Sequence, residues 1–162
     1  MKLIAVILLV AVGWLAGGEE AKKLTGKYTR LRSVLSLLRR INDGIRFSRT
    51  CLHEIFASFD DDALGKCGFM AFLASSPPLP LKEAWKNAVS TLGADDDISS
   101  VLVSLGDGLG TTDFATQTEK IEMCISFLSK RLDEMSADIA KKAKSYRSLG
   151  ALASLAAAII LY

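Results

Sequence analysis

Two uncharged, strongly apolar runs sit at opposite ends of this chain, over residues 3–18 and 149–162. Such runs must be kept from water, in a protein core or in a bilayer, and they decide what the intervening sequence can be. A helix over the first would reach roughly 24 Å and over the second roughly 21 Å, against a bilayer core of about 30 Å. Each is short for a full crossing, and the second reaches further only if Lys144, Tyr146 and Arg147 snorkel and the bilayer thins. Trp14 stands where an interfacial aromatic belt would place it, and Tyr162 stands at the far interface of the second run. The chain is 50% apolar, at the upper edge for a soluble protein, and the excess lies in these two ends.

Charge is partitioned around them. From 19 to 49 there are nine Lys or Arg and three acids; from 50 to 140 there are six and fifteen; from 141 to 147 there are four and none. Basic residues therefore flank the inner side of both apolar runs. By the positive-inside rule both runs point the same way, which predicts a membrane hairpin with 1–18 as an N-terminal anchor, 19–148 as a cytoplasmic domain and 149–162 as a C-terminal membrane segment. Two other readings compete. Lys2, the apolar run and the small residues Ala16, Gly17 and Gly18 resemble a cleaved signal peptide, but Lys22, Lys23, Lys27, Arg30 and Arg32 follow directly, an unusual start for an exported chain. The C-terminal run could be a buried core helix, but it has no polar stripe. The acidic middle argues against nucleic-acid binding, which needs a basic patch in the folded domain.

The middle reads as helix throughout. Leu31, Val34, Leu35, Leu38, Ile41 and Ile45 follow helical spacing, with Arg30, Arg32, Arg39 and Arg40 on the other face, and Asn42-Asp43-Gly44 weakens the helix end. Thr50 is a candidate cap for a short helix through Leu52, Ile55, Phe56 and Phe59. Asp60 to Asp62 open a helix carrying Leu64, Phe69, Phe72 and Leu73. Pro77, Pro78 and Pro80 break the pattern. Leu81 to Leu92 form the next helix, stopped by Gly93, and Asp95, Asp96 and Asp97 start another with Ile98, Val101, Leu102 and Leu105. Gly106, Gly108 and Gly110 predict a tight corner between packed helices. Thr111 or Thr112, with Asp113, begins the longest helix, whose positions Ile121, Ile125, Leu128, Leu132, Met135 and Ile139 alternate steps of four and three. That seam packs on the domain's own helices or in part on another subunit. With no Pro or Gly from 111 to 148, the helix can run on into the apolar tail.

Chemistry is sparse. His53 is the sole histidine, inside a short helix. Cys51, Cys67 and Cys124 match no zinc or redox spacing and are expected to be buried, reduced thiols. Asp60 to Asp62 lack further ligands for a metal, and the glycine corner has neither the dinucleotide spacing nor a phosphate-binding lysine. No carboxylate pair is set for acid–base work. Catalysis, a cofactor, a metal and a small-molecule substrate are all unexpected. The acidic stretch Asp95, Asp96 and Asp97 is the candidate partner surface, suited to a basic partner.

The layout resembles the stage III sporulation protein AB family of endospore-forming bacteria. The likeness covers nearly the whole chain: the anchor opening Met1-Lys2-Leu3, Arg30-Leu31-Arg32 entering a leucine-rich helix, Ala84-Trp85 with Ala88-Val89, Leu105-Gly106 to Leu109-Gly110 followed by Asp113 and Gln117, and Ser148-Leu149-Gly150 entering the tail. The short tail and the triple Asp depart from the family pattern. The resemblance implies a subunit of the assembly linking mother cell and forespore during engulfment, in the mother-cell membrane around the forespore. It further implies a domain similar to the cytoplasmic domains of type II secretion and type IV pilus platform proteins. By that analogy the partners are a hexameric ATPase and other membrane subunits of the same operon. On this reading Trp85, Leu105 and Leu109 are core, while Gly106, Gly110 and Asp113, with Gln117 nearby, shape the corner. The expectation is therefore an all-α protein: a cytoplasmic bundle of about six helices between two membrane helices, acting as scaffold and docking platform. A platform component of a secretion or pilus system outside sporulation is the nearest alternative, and an exported helical binding protein the next.

Overall fold

The computed structural model describes residues 2–48, 51–74, 80–110 and 113–161; the side chains of 2–21, 48, 143–144 and 146–161 lie outside that description. The described residues form seven helices and no strand: α1 (Lys2–Asp43), followed by a single π-helical turn (Gly44–Ser48), α2 (Leu52–Ser58), α3 (Asp62–Cys67), α4 (Phe69–Leu73), α5 (Leu81–Ser90), α6 (Asp96–Gly108) and α7 (Phe114–Leu161). The all-α expectation holds. By compactness the chain divides into one unit of Lys27–Asp133 and a second that joins Met1–Gly26 with Glu134–Tyr162.

The second unit consists of the ends of the two longest helices. Residues 3–18 and 149–161 are helical, as the sequence predicts, and each is continuous with a helix of the first unit. Among the described residues no helix is long and apolar enough to cross a membrane. The side chains of the two apolar runs, on which the membrane expectation rests, lie outside the described residues.

In the unit Lys27–Asp133, α1 buries Leu31, Val34, Leu35, Leu37, Leu38 and Ile41, while Arg32, Arg39 and Arg40 face solvent. Arg30 departs from the predicted outer face: it is half-buried. α7 buries Gln117, Ile121, Cys124, Leu128 and Leu132. Its inward stripe thus passes through Cys124, and Ile125 is only half-buried. This part of the seam is used within the chain. The two long helices run antiparallel here: Arg46 Nη1 pairs with Glu122 Oε1 at 2.6 Å, whereas Lys27 and Arg131 both reach the start of α6.

Between them the short helices converge on Trp85. Its indole is fully buried, lies edge-on to Phe69 of α4 at 5.7 Å between centroids and tilts against Phe56 of α2 at 6.4 Å. A buried indole N–H must find an acceptor, and Nε1 donates to the Leu102 carbonyl of α6 at 2.7 Å. In a regular helix that carbonyl also accepts the N–H of Gly106, four residues on, and a carbonyl has lone pairs for both. Glycine makes the second bond possible: a Cβ at 106 would overlap Trp85 Cδ1 and stand 2.9 Å from Cγ and 3.0 Å from Nε1.

Several boundaries differ from expectation. The helix predicted from the triple Asp to Leu73 is broken at Gly68, whose φ of 84° is left-handed and ends α3 while starting α4. That break raises the helix number above the expected six. The corner predicted over Gly106 to Gly110 is narrower: Gly106 and Gly108 are helical, and the chain turns only at Leu109 and Gly110, where φ is 76°. Asp61 rather than the helical Asp62 caps α3, its carboxylate accepting the Leu64 N–H at 2.9 Å. The proposed caps Thr50, Thr111 and Thr112 and the breakers Pro77 and Pro78 lie outside the described residues. The cysteines also differ: Cys51 is exposed, Cys67 half-buried and Cys124 alone buried.

Two glycine substitutions separate packing from propensity. Gly106→Ala forces a methyl into the Trp85 ring and should lose about 1–3 kcal/mol, outweighing the roughly 1 kcal/mol alanine gains as a helix former. Gly65→Ala, with nothing within 4 Å of the added Cβ, should instead gain roughly 0.5–1 kcal/mol. Thermal unfolding of the purified chain, followed by circular dichroism, checks both signs.

Candidate functional site

Apart from the acidic stretch at 95–97, the positions singled out by sequence gather at the end of α6 in the unit Lys27–Asp133. Leu105 and Leu109 are buried beside Gly106 at the end of α6, under Trp85 of α5. Gly110 is exposed, but a Cβ there would lie 3.7 Å from Leu81 of α5 and 3.8 Å from Leu52 of α2. Asp113 precedes α7 and its carboxylate accepts the Thr116 N–H at 3.1 Å. Hydrogen bonds from the Thr116 side chain and then its backbone N–H hold the Asp113 carboxyl below the ordinary carboxylate range. That depression adds stability above the unfolded pKa of about 3.9, lost as pH falls through the lower folded value. Gln117 is buried one turn further on, its N–H bonded to the Asp113 carbonyl at 3.0 Å. These residues turn the chain from α6 into α7.

Asp95, Asp96 and Asp97 do lie at the start of α6, but two of them are engaged within the fold. Asp95 Oδ1 pairs with Lys27 Nζ of α1 at 2.6 Å, and Asp97 pairs with Arg131 of α7. Arg131 in turn lies over the Phe127 ring at 5.7 Å. The acidic start of α6 therefore ties this helix to both long helices, and Asp96 is left on the exposed surface.

The sequence reading missed a groove. It runs between α6 and α7, encloses about 490 Å³ and has Leu105 and Cys124 at its floor, with Val101, Met123 and Phe127 on its walls and Lys120 on its rim. Burial pushes the Cys124 thiol up to about 11, so at neutral pH it is a small apolar group. Met123 is 59% exposed and, with Phe47 at 78% and Phe114 at 54%, is one of three large apolar side chains on the surface among the described residues. The helical spacing of Lys120, Met123 and Phe127 held the signal, but it was hidden by the stronger inward stripe one residue away. Among the described residues no group of His, Cys, Asp or Glu is placed to hold a metal, and His53 is exposed on α2.

The sequence profile described as stage III sporulation protein AB matches residues 2–162. The chain belongs to the stage III sporulation protein AB family. Membership assigns it a sporulation role, and the match takes in both apolar ends as well as the helical core. No curated protein and no solved structure matches the chain.

The Asp97–Arg131 pair, with each side chain 42% exposed, should contribute modestly. A double-mutant cycle with Asp97→Asn and Arg131→Gln is expected to give a coupling of roughly 0.2–1 kcal/mol that shrinks as salt is raised toward 1 M.

Proposed function

We propose that this family member is a non-catalytic membrane scaffold of the sporulation channel complex linking mother cell and forespore. The observation that carries the reading is the continuity of the two uncharged ends with α1 and α7, the two longest helices, which also frame the helical core. Basic residues stand beside each end: Lys22 and Lys23 on α1, and Lys141 and Lys142 on α7, all exposed. Anchored by a hairpin of this kind, the unit Lys27–Asp133 lies in the mother-cell cytoplasm, since cationic flanks resist translocation.

The same reading makes the protein a docking platform for a secretion-type ATPase and for other membrane subunits of its operon. The core supports this role in two ways. Its polar side chains serve capping and helix-to-helix ties, as at Asp61, Asp113 and Asp97. Its surface carries exposed apolar side chains and an open groove. Chemistry is then supplied by the ATPase, and this chain supplies position. Neither a small-molecule substrate nor nucleic acid enters the scheme.

Membranes from sporulating cells producing the full chain test the proposal. The protein should resist alkaline carbonate extraction, be released by detergent and carry the operon's ATPase with it through purification. Release by carbonate, or purification free of the ATPase under conditions that keep other subunits together, would contradict it.

A further inference from the structure

The groove between α6 and α7 has the features of a helix seat. Its walls are two helices, and its length is set by helical repeats: Lys120, Met123 and Phe127 on α7 face Val101 and Leu105 on α6. Its volume of about 490 Å³ falls in the range of binding sites, yet its polar groups do not converge on a point. Ser100 Oγ already donates to the Asp97 carbonyl at 2.8 Å. At the Phe127 end, Arg131 lies over the ring and pairs with Asp97. Lys120 is the one charged residue among those lining the groove. Met123, flexible and polarizable, suits a surface that must fit a side chain brought from outside.

Charge selects the occupant. The lining contains no carboxylate, so two copies meeting groove to groove would each cover a Lys120 ammonium with nothing of opposite sign. Covering an unpaired charge is costly. A partner that presents apolar side chains at i, i+3 or i+4 and i+7, with an acid at the edge, satisfies both the walls and the lysine. We propose that the α6–α7 groove seats an amphipathic helix of a partner protein that brings a carboxylate to Lys120. The inference rests on the docking-platform reading and adds the surface and the chemistry of the contact.

Photocrosslinking tests it in the full chain in sporulating cells, with p-benzoylphenylalanine at Met123 and, as a control, at the exposed Lys86 of α5. The expected result is an adduct at 123 whose attached peptide comes from another polypeptide and combines an apolar helical repeat with an Asp or Glu. Lys120→Glu should cut its yield at least tenfold and Lys120→Arg should preserve it. Changing the partner's acid to Lys should restore the Lys120→Glu adduct. Unchanged helicity and melting temperature of the two lysine variants establish that the fold is intact. Adducts with a second copy of this chain, adducts with lipid only, or a yield at 123 no greater than at 86 would overturn the proposal. So would an adduct indifferent to the charge at 120. Partner capture at 86 without capture at 123 would leave the platform reading standing and remove the groove; capture at neither position would count against both.

Discussion

A single buried hydrogen bond organises the core. Trp85 brings the largest side chain of the core into full burial together with an N–H that must be satisfied. The Leu102 carbonyl satisfies it, and the carbonyl is reachable because Gly106 has no side chain to cover it. One contact thus fixes how closely and at what rotation α5 lies on α6. Phe56 and Phe69 close on the remaining faces of the indole, which places α2 and α4. Those helices have seven and five residues, far below the length at which a helix is stable alone. Their structure is a consequence of tertiary packing around the indole rather than of local propensity.

The long helices depend on a different balance. α1 and α7 each turn a leucine- and isoleucine-rich stripe inward between 31 and 132, and ion pairs set their alignment: Arg46 with Glu122 between the two, Lys27 and Arg131 with the start of α6. These pairs are partly exposed and individually weak, so they specify register more than they stabilise. The charge partition of the sequence follows from this division of labour. Acids gather at the starts of α3 and α6, where helix dipoles and neighbouring cations favour them. Bases gather toward the two apolar ends.

Much of the fold was legible because periodicity is a direct record of burial. Leu31, Val34, Leu35, Leu38 and Ile41 of α1 and Ile98, Leu102 and Leu105 of α6 were readable as an inward face, although Leu37 was missed and Arg30, Ile45 and Val101 are only half-buried. The continuity of α7 into the tail followed from the lack of Pro and Gly. What could not be read depended on partners distant in sequence. Gly68 was hidden inside an apparently continuous helix because its left-handed backbone leaves no trace in hydrophobic spacing. Gly106 looked like one of three turn glycines, yet its role is set by an indole 21 positions earlier in the chain. The acids at 95 to 97 looked like free surface, but Lys27 and Arg131 lie 68 and 34 residues from their partners. The continuity of α1 across Gly17 and Gly18 was also unread. The groove escaped notice because the spacing of Lys120, Met123 and Phe127 marks only one of its walls, and the other, with Val101 and Leu105, comes from α6.

In the proposed arrangement the core is held on the mother-cell side of the membrane by its two helical ends. Cys51 offers a native reporter, being exposed on the unit Lys27–Asp133. In a chain carrying Cys67→Ser and Cys124→Ala, a membrane-impermeant maleimide is applied to intact sporulating cells and again after lysis, with the protein recovered in the membrane fraction each time. The account predicts no labelling before lysis and full labelling after it. Labelling of Cys51 in intact cells, or recovery of the protein away from the membrane, would contradict it.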